Sequence, residues 1–386
     1  MKIISKIIIN IVVFLIIAIL AILGYIVYTE IDFSNDNPTI NVSQFRTKLD
    51  EHIPNEETND LKVSNDNKVT TTIEGLESSV SSNRDSNENR DNNIKEVSNI
   101  NKHFYNQLDK YSEKIYNELY NNKENMKTGK YKVEFGNYFK DVLDKENGAE
   151  ILGDYYQAAI EAYVYDNPDV FYLEPQKMYL NMETTTKGNK KTYNVFIDNG
   201  DENNYFEVGF NSKEDVEASL NAIESVSNQI LKNKTNNTYE DIKMVHDYLV
   251  DNLEYDTTLS EPYIYDIYGA MVNKVAVCEG YAKSFKYLMD KLGIPTTLAI
   301  GIATNSNGET EKHAWNYVQI DSQWYAIDVT WDDPISEGMF FNNKSKYKYF
   351  LKGLDFMEED HSINGQFTNN GKVFTYPNAS RYNYKN

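Results

Sequence analysis

Three side chains that can form a nucleophilic catalytic triad lie in the second half of the chain. Cys278 is the single cysteine of the 386 residues, His313 follows it by 35 positions, and Asp328 follows the histidine by 15. In such a triad a thiolate attacks a carbonyl carbon, an imidazole carries the proton, and a carboxylate orients the ring and stabilises its charge. The three residue types in this order predict covalent catalysis, provided that the fold brings them together.

Each of these residues also has an ordinary structural interpretation. A lone cysteine is often a small buried side chain or half of an intermolecular bond. A histidine in a strand is often a hydrogen-bonded core residue, and an aspartate beside a turn is often a surface carboxylate. The triad hypothesis therefore depends on the combination of the three and on the elements that carry them.

The residues after Cys278 predict a helix that begins at or just before the cysteine. Gly293 ends this helix ahead of Ile294 and Pro295. The unpaired backbone N–H groups at a helix start favour a thiolate, the nucleophilic form of cysteine. Apolar side chains recur at helical spacing along the segment, at Tyr281 or Ala282, Phe285, Leu288 and Met289.

His313 and Asp328 lie in two segments that alternate between apolar and polar residues, as strands do. The segments read KHAWNYVQI and QWYAIDVTWDDP, and Asp321, Ser322 and Gln323 between them predict a hairpin turn. A helix that starts with the cysteine and packs on an antiparallel sheet carrying His313 and Asp328 would bring the three side chains together.

The strings VCEGYA, HAWNYV and IDVTWDDP, in this order and spacing, resemble the transglutaminase-like superfamily of papain-like cysteine enzymes over about residues 238–360. The resemblance implies that Cys278 is the nucleophile, His313 the general base and acid, and Asp328 the orienting residue. The stretch IEAYVYDNPDVFYL, from residue 160, is similar to the segment found before this domain in extracytoplasmic bacterial members.

Other polar clusters are weaker candidates for a site. We interpret His246 with Asp247, and His361 after the acidic run 358–360, as helix capping and surface charge rather than metal ligands. The acidic loop 198–203 lacks the full spacing of a calcium loop and its closing glutamate, so it predicts a hairpin turn. No cofactor and no metal are predicted.

Two features of the active site remain open in the sequence. The oxyanion hole needs a second donor beside the backbone N–H of Cys278, and Tyr265 and Tyr268 are candidates by position alone. Trp315, Trp324 and Trp331 either form the walls of an acyl-donor cleft or pack in the core.

The N-terminal segment predicts a membrane anchor. Residues 7–28 carry no charge and form a helix of about 33 Å, long enough to cross a bilayer. Lys2 and Lys6 place residues 1–6 in the cytoplasm and the rest of the chain outside, as a single-pass protein of the cell membrane. The alternative, a cleaved signal peptide, would have a shorter apolar stretch and a small-residue cleavage site.

The composition excludes several classes of protein. A net charge of −21 argues against nucleic-acid binding, because phosphate recognition needs a basic face. One cysteine excludes an intramolecular disulfide and any multi-cysteine metal site. The frequent Asn, Lys and Ile, with an anchor and no disulfide, indicate a Gram-positive bacterium with an AT-rich genome.

The predicted fold class is α+β, with a papain- or transglutaminase-like core preceded by a smaller α+β region. Residues 35–100 predict a disordered linker, because they are rich in Ser, Asn, Asp and Glu and too poor in apolar residues to bury a core. Residues 101–235 form the N-terminal α+β region, and residues 236–386 the catalytic domain.

The leading function is a cysteine acyl-transfer enzyme outside the membrane, acting on glutamine side chains or peptide amides of envelope proteins or cell-wall peptides. An amine that resolves the thioester gives a cross-link, and water gives deamidation or hydrolysis. The alternatives are a peptidase or amidase with the same triad, a non-catalytic module that binds the envelope, and a thioester-forming adhesin. The predicted partners are a protein or peptide substrate and the membrane, without nucleic acid.

Overall fold

A computed structural model describes residues 39–46, 101–305, 308–333, 346–363 and 374–386. Within these ranges no helix is both long and apolar enough to cross a membrane. The predicted cytoplasmic residues 1–6 and the predicted membrane segment 7–28 lie outside them.

The described residues combine helices with two antiparallel sheets and one short parallel pair of strands, as an α+β fold does. The helices are α1 (Lys110–Asn121), α2 (Lys123–Met126), α3 (Lys140–Leu143), α4 (Gly148–Asp166), α5 (Lys213–Leu231), α6 (Thr238–Asn252), α7 (Cys278–Leu292), α8 (Val329–Asp332) and α9 (Leu354–Met357). The strands are β1 (Thr39–Arg46), β2 (Val133–Gly136), β3 (Tyr179–Lys187), β4 (Lys190–Asp198), β5 (Glu254–Tyr255), β6 (Val275–Ala276), β7 (Thr296–Thr304), β8 (Thr310–Ile320), β9 (Gln323–Ile327) and β10 (His361–Ser362).

The first sheet has the antiparallel strand order β1-β3-β4-β2. Its edge strand β1 lies inside the range 35–100, so the predicted disordered linker does not extend to these eight residues. The composition of the whole range hides a short run, TINVSQFR, in which β-branched residues favour a strand. The rest of the predicted linker lies outside the described residues.

The hairpin of this sheet lies earlier in the chain than the sequence predicts. Strand β4 follows β3 through a tight turn at Gly188, whose φ of 57° is in the left-handed region. The predicted hairpin turn at 198–203 is wrong, because residues 205–210 form no strand and Phe206 makes only an isolated bridge with Leu173. Tyr205, Phe206 and Phe210 are buried there without a ladder of strand hydrogen bonds.

The second sheet has the antiparallel order β10-β7-β8-β9, and helix α7 packs on β7 and β8. Strands β8 and β9 are joined by a two-residue turn in which Asp321 and Ser322 both have positive φ, of 50° and 63°. This geometry matches the twist of an antiparallel hairpin. The prediction of a helix that begins at the cysteine and packs on an antiparallel sheet is thus confirmed.

One hydrophobic cluster joins both predicted regions, with buried side chains from Phe104 to Phe374. The predicted border at residues 235 and 236 falls in the loop between α5 and α6. The side chain of Ser212 caps α5, and that of Asn237 caps α6.

Candidate active site

Cys278 is the first residue of helix α7. The preceding residue, Val277, is extended, so the backbone N–H groups of the first turn have no partner within the helix. The cysteine is 5% exposed and packs against Ala282, Leu298 and Ala314. The sulfur therefore lies at the positive end of a 15-residue helix, at the junction between α7 and the second sheet.

Gly280 allows a loop to lie close to the cysteine. A Cβ at this position would come within 2.5 Å of the carbonyl oxygen of Ile264. The same carbonyl accepts a hydrogen bond of 3.0 Å from the backbone N–H of Val277. Residues 264–266 are thereby held against the start of α7, and Tyr265 lies on the loop beside the nucleophile.

His313 lies in the middle of β8, opposite Gly301 of β7. It is 1% exposed, and its Nε2 lies 2.8 Å from Oδ2 of Asp328. Because Nε2 is occupied, Nδ1 is the ring nitrogen left for the hydrogen bond with Cys278. Burial alone would lower the pKa of His313, but the charge and hydrogen bond of Asp328, and then the hydrogen bond of Cys278, raise it well above its usual value.

Asp328 follows β9 and caps the short helix α8. Its Oδ1 accepts a 3.1 Å hydrogen bond from the backbone N–H of Trp331, and its side chain is fully buried. Burial would raise the pKa of this carboxyl, but the charge of His313 and hydrogen bonds from two histidines hold it well below its usual range. The three predicted residues Cys278, His313 and Asp328 are thus brought together, with an ionised carboxylate behind the imidazole.

The second of those histidines is His361, which the sequence analysis interpreted as surface charge. That prediction is wrong, because His361 is 5% exposed. Its Nε2 lies 3.0 Å from the same Oδ2 of Asp328, and its Nδ1 lies 2.7 Å from Oδ1 of Asp360. The acidic run before it made the segment look exposed, and no local pattern indicates that strand β10 pairs with β7.

His246 is buried as well, so its interpretation as a surface residue is also wrong. Its Nε2 lies 3.0 Å from Oδ2 of Asp332, and its Nδ1 lies 3.2 Å from Oδ1 of Asp247. Burial would lower the pKa of His246, but the two carboxylates raise it. The contact between His246 and Asp332 links α6 to α8, and Asp332 lies one helical turn after Asp328.

Two of the three tryptophans surround the histidines. The ring centre of Trp331 lies 5.3 Å from that of His313 and 4.6 Å from that of His361. Trp315 is 1% exposed and is therefore a core residue, while Trp324 lies elsewhere, 6.4 Å from His103.

Of the two tyrosines considered for the oxyanion hole, Tyr265 is the one near the nucleophile. Burial raises the pKa of its hydroxyl, and the charges of Glu279 and Cys278 raise it further, so the group stays a neutral phenol. Tyr268 instead stacks on Phe171, with ring centres 6.4 Å apart.

A groove lined by carboxylates opens beside the start of α7. It consists of two adjoining cavities of about 110 and 400 Å³ that share Glu174, Gln176, Glu207, Tyr265 and Asp266. The smaller cavity also reaches Glu279, the residue after the nucleophile, and Tyr165, which packs against the cluster around Cys278. The groove therefore leads toward the sulfur.

The groove carries more negative than positive charge. Its two lysines already have partners: Lys283 lies 2.6 Å from Glu279, and Lys177 donates a 2.7 Å hydrogen bond to a backbone carbonyl. Burial and the neighbouring Glu174 raise the pKa of Glu207 to about 7, and burial raises the pKa of Asp266 to about 7. A cationic group in the groove would stabilise the ionised form of both carboxyls.

The same geometry bears on metal binding. Within the described ranges, His313, Asp328 and His361 are the one set of His, Cys, Asp or Glu side chains compact enough for an ion, with ligand atoms within 4.8 Å of one another. The separations of 2.8 and 3.0 Å between the two Nε2 atoms and one carboxylate oxygen are those of direct hydrogen bonds. Hydrogen bonding thus accounts for the cluster.

The family model of the transglutaminase-like superfamily matches residues 224–329, a range that contains Cys278, His313 and Asp328. This part of the chain, roughly a quarter of its length, is therefore similar to the transglutaminase-like superfamily. No curated protein matches the chain significantly.

Several solved structures are similar to the chain at low identity. A TGase is 18% identical with a TM-score of 0.28, over 42% of this chain and 45% of that one. Calcium-bound LapG from Legionella pneumophila is 17% identical with a TM-score of 0.21, over 30% and 64%. The periplasmic domain of TgpA from Pseudomonas aeruginosa is 12% identical with a TM-score of 0.21, over 42% and 73%. The chain spans less than two thirds of the TGase and of LapG.

Proposed function

We propose that the protein is a cysteine acyl-transfer enzyme that forms a thioester on Cys278. The observation that carries the proposal is the chain of contacts from the thiol to His313 and on to the buried carboxylate of Asp328. A nucleophile at a helix start, a base bonded to it and an ionised group behind the base are the three parts of a triad.

The proposed reaction uses each of these groups at a stated atom. The thiolate of Cys278 attacks the carbon of an amide, and the proton held on Nδ1 of His313 passes to the departing nitrogen, which leaves as ammonia or an amine. The acyl group remains as a thioester. An acceptor amine or water then gives its proton back to Nδ1 while its nitrogen or oxygen bonds to the acyl carbon and releases the thiolate.

The oxyanion of the tetrahedral intermediate needs donors at the start of α7. The backbone N–H of Cys278 is one, since it belongs to the unpaired first turn. The phenol of Tyr265 is our choice for the second, because it is neutral and close to the sulfur.

The acidic groove favours an amine over water as the acceptor. A primary amine is a cation at neutral pH, so carboxylates such as Glu207 and Asp266 would concentrate it near the thioester, where it releases one proton to solvent before its neutral nitrogen attacks. We therefore place transamidation ahead of hydrolysis, and a peptidase or amidase with the same triad remains the second candidate.

We further propose that the enzyme works outside the cell membrane, on envelope proteins or cell-wall peptides. The support is the charge-free stretch 7–28 with Lys2 and Lys6 ahead of it, which predicts an anchor with an external domain.

The test compares the full chain, purified in detergent, with Cys278→Ala. Each protein is incubated with a glutamine-rich protein, a labelled primary amine and isolated cell-wall material, and product masses are measured. Incorporation of amine with loss of ammonia, by the intact protein only, is the expected result.

Other outcomes separate the alternatives. Deamidated or cleaved product without incorporated amine would indicate a hydrolase. Identical behaviour of the two proteins, together with alkylation of Cys278 no faster than that of a free thiol, would overturn the enzymatic function and leave a binding module. A stable adduct on Cys278 without turnover would indicate an adhesin.

A further inference from the structure

We propose that His361 is a positioning residue for the triad: it holds the carboxylate of Asp328 in place behind His313. This inference rests on the proposed function, because it concerns the same Cys278. It assigns a role to a histidine of strand β10, which lies outside the matched range 224–329.

One carboxylate oxygen of Asp328 joins the two histidines. Oδ2 of Asp328 lies 2.8 Å from Nε2 of His313 and 3.0 Å from Nε2 of His361. A carboxylate oxygen only accepts hydrogen bonds, so both Nε2 atoms carry a proton. This fixes the tautomer of His313 and leaves its Nδ1 to exchange a proton with Cys278. The aspartate cannot rotate without breaking two bonds to Oδ2 and the bond from the backbone of Trp331 to Oδ1.

His361 is itself held from its other end. Its Nδ1 lies 2.7 Å from Oδ1 of Asp360, and the other oxygen of that carboxylate accepts a 2.6 Å hydrogen bond from the hydroxyl of Tyr349. The ring centres of Trp331 and Trp315 lie 4.6 and 5.0 Å away. A side chain fixed at both nitrogens and enclosed by aromatic rings is suited to orient its neighbour.

Several ionisable groups face the cluster. Both ring nitrogens of His361 face carboxylates, and Asp328 lies between the rings of His313 and His361. The other ionisable groups facing the cluster are Cys278 and Glu311 near His313, Asp332 near Asp328, and Lys348 at 3.8 Å from Asp360.

The chain contains a matched control in His246. This histidine is also buried, and its two nitrogens also face two carboxylates, Asp332 at 3.0 Å and Asp247 at 3.2 Å. It differs from His361 in that its partner Asp332 makes no described hydrogen bond to the triad histidine. Loss of either histidine removes one hydrogen bond from each of two carboxylates, one of them fully buried, so both losses should destabilise the fold to a similar degree.

The experiment measures the rate at which iodoacetamide alkylates Cys278 in the full chain, from pH 5 to pH 9, together with thermal unfolding. The variants are His361→Gln, His361→Ala and His246→Gln. We expect His361→Gln to slow alkylation at pH 6 by about tenfold, the lower end of what orienting groups contribute at other sites. The acid limb of the profile should move to higher pH, because a carboxylate no longer held against His313 stabilises the thiolate–imidazolium pair less.

Further comparisons show whether His361 positions Asp328 or only stabilises the fold. His361→Ala should be slower than His361→Gln, since glutamine retains an N–H donor toward Asp328. His246→Gln should unfold at a lower temperature with an unchanged alkylation profile. If His361→Gln and His246→Gln give the same profile, His361 is only a structural residue. If the parent protein itself reacts no faster than a free thiol, the proposed function fails, whatever the variants do.

Discussion

Gly301 lies against the backbone of Ser362. A Cβ on Gly301 would come within 2.2 Å of the carbonyl oxygen of Ser362 and within 2.7 Å of the ring of Trp315. Strand β10 can therefore lie beside β7 only if position 301 has no side chain, and β10 is the strand that carries His361.

Gly301→Ala should therefore separate His361 from Asp328. We expect a loss of about 1–3 kcal/mol in unfolding free energy, as for other overpacked positions, and slower alkylation of Cys278. Ala303→Gly is the control, because it weakens the same strand opposite His361 without adding an atom. Equal alkylation rates in Gly301→Ala and the parent would show that β10 tolerates the displacement.

Asp328→Asn should nearly abolish turnover while the protein stays folded. The amide keeps an oxygen but loses the charge that stabilises the imidazolium of His313, and the same change in serine-protease triads lowers kcat by about 10⁴-fold. Steady-state rates of amine incorporation measure the effect. Asp332→Asn removes the neighbouring buried carboxylate of the His246 pair and should leave the rate within about tenfold of the parent.

The raised pKa of His313 predicts how the nucleophile depends on pH. A raised pKa keeps the imidazolium protonated above the usual titration range of histidine near 6.5, so its positive charge persists through neutral pH. His313→Gln removes this charge, and alkylation of Cys278 at pH 7 should slow by about tenfold or more. The prediction fails if the variant and the parent react equally fast at pH 6 to 7.

The elements around the triad were predictable because their signals are local. The amphipathic spacing after Cys278, the glycine that ends α7 and the turn before Gln323 each lie within a few residues of the element that they define. The placement of His361 depends on a two-residue strand that pairs with β7, far earlier in the chain. Such a strand pairing depends on tertiary packing, and the polar residues before His361 indicate an exposed segment instead.

The wrong predictions for residues 39–46 and for the turn at 198–203 have a similar cause. Residues 205–210 are apolar enough to suggest a strand, yet Tyr205 and Phe206 are buried in a loop whose backbone hydrogen bonds go to scattered residues rather than along one neighbouring strand. Strand β1 stands in a polar stretch and is stabilised by its pairing with β3. Secondary-structure propensity is a property of one segment alone. Whether β1 and residues 205–210 form strands depends on the part of the fold that each packs against.

Glu161 predicts a dependence of stability on pH that is separate from the triad. It is fully buried on α4, its Oε1 accepts a bond from Gln157, and its Oε2 has no partner among the described residues. Burial raises its pKa to about 8. Since the unfolded value is about 4.3, the folded state binds the proton more tightly, and this contribution to stability is lost as pH rises from about 4.3 through 8.

Glu161→Gln removes this titration. Its melting temperature should exceed that of the parent by a margin that grows between pH 5 and pH 8. Glu150→Gln, an exposed position on the same helix, should show no such growth. A constant difference across this range would mean that Glu161 does not titrate on unfolding.

The pairing of β1 with β3 predicts a difference between two shortened chains. A chain that begins at residue 101 leaves the outer edge of β3 unpaired, whereas one that begins at residue 37 retains β1. Unpaired edges promote association between chains. We expect the shorter chain to melt at a lower temperature and to self-associate more strongly in sedimentation experiments; equal behaviour would mean that β1 contributes nothing to the fold.

The position of β1 also sets how far the enzyme can reach. Thr39 follows Tyr28 after ten residues, which extend over at most about 35 Å. If residues 7–28 cross the bilayer, as the sequence predicts, these ten residues are the linker that connects the first sheet to the membrane. Residues 47–100 follow β1 and connect it to later parts of the same fold, so they do not lengthen this linker. In such a chain the site would reach only what lies within the linker length plus the size of the fold from the lipid surface, so distant layers of the envelope would lie beyond it.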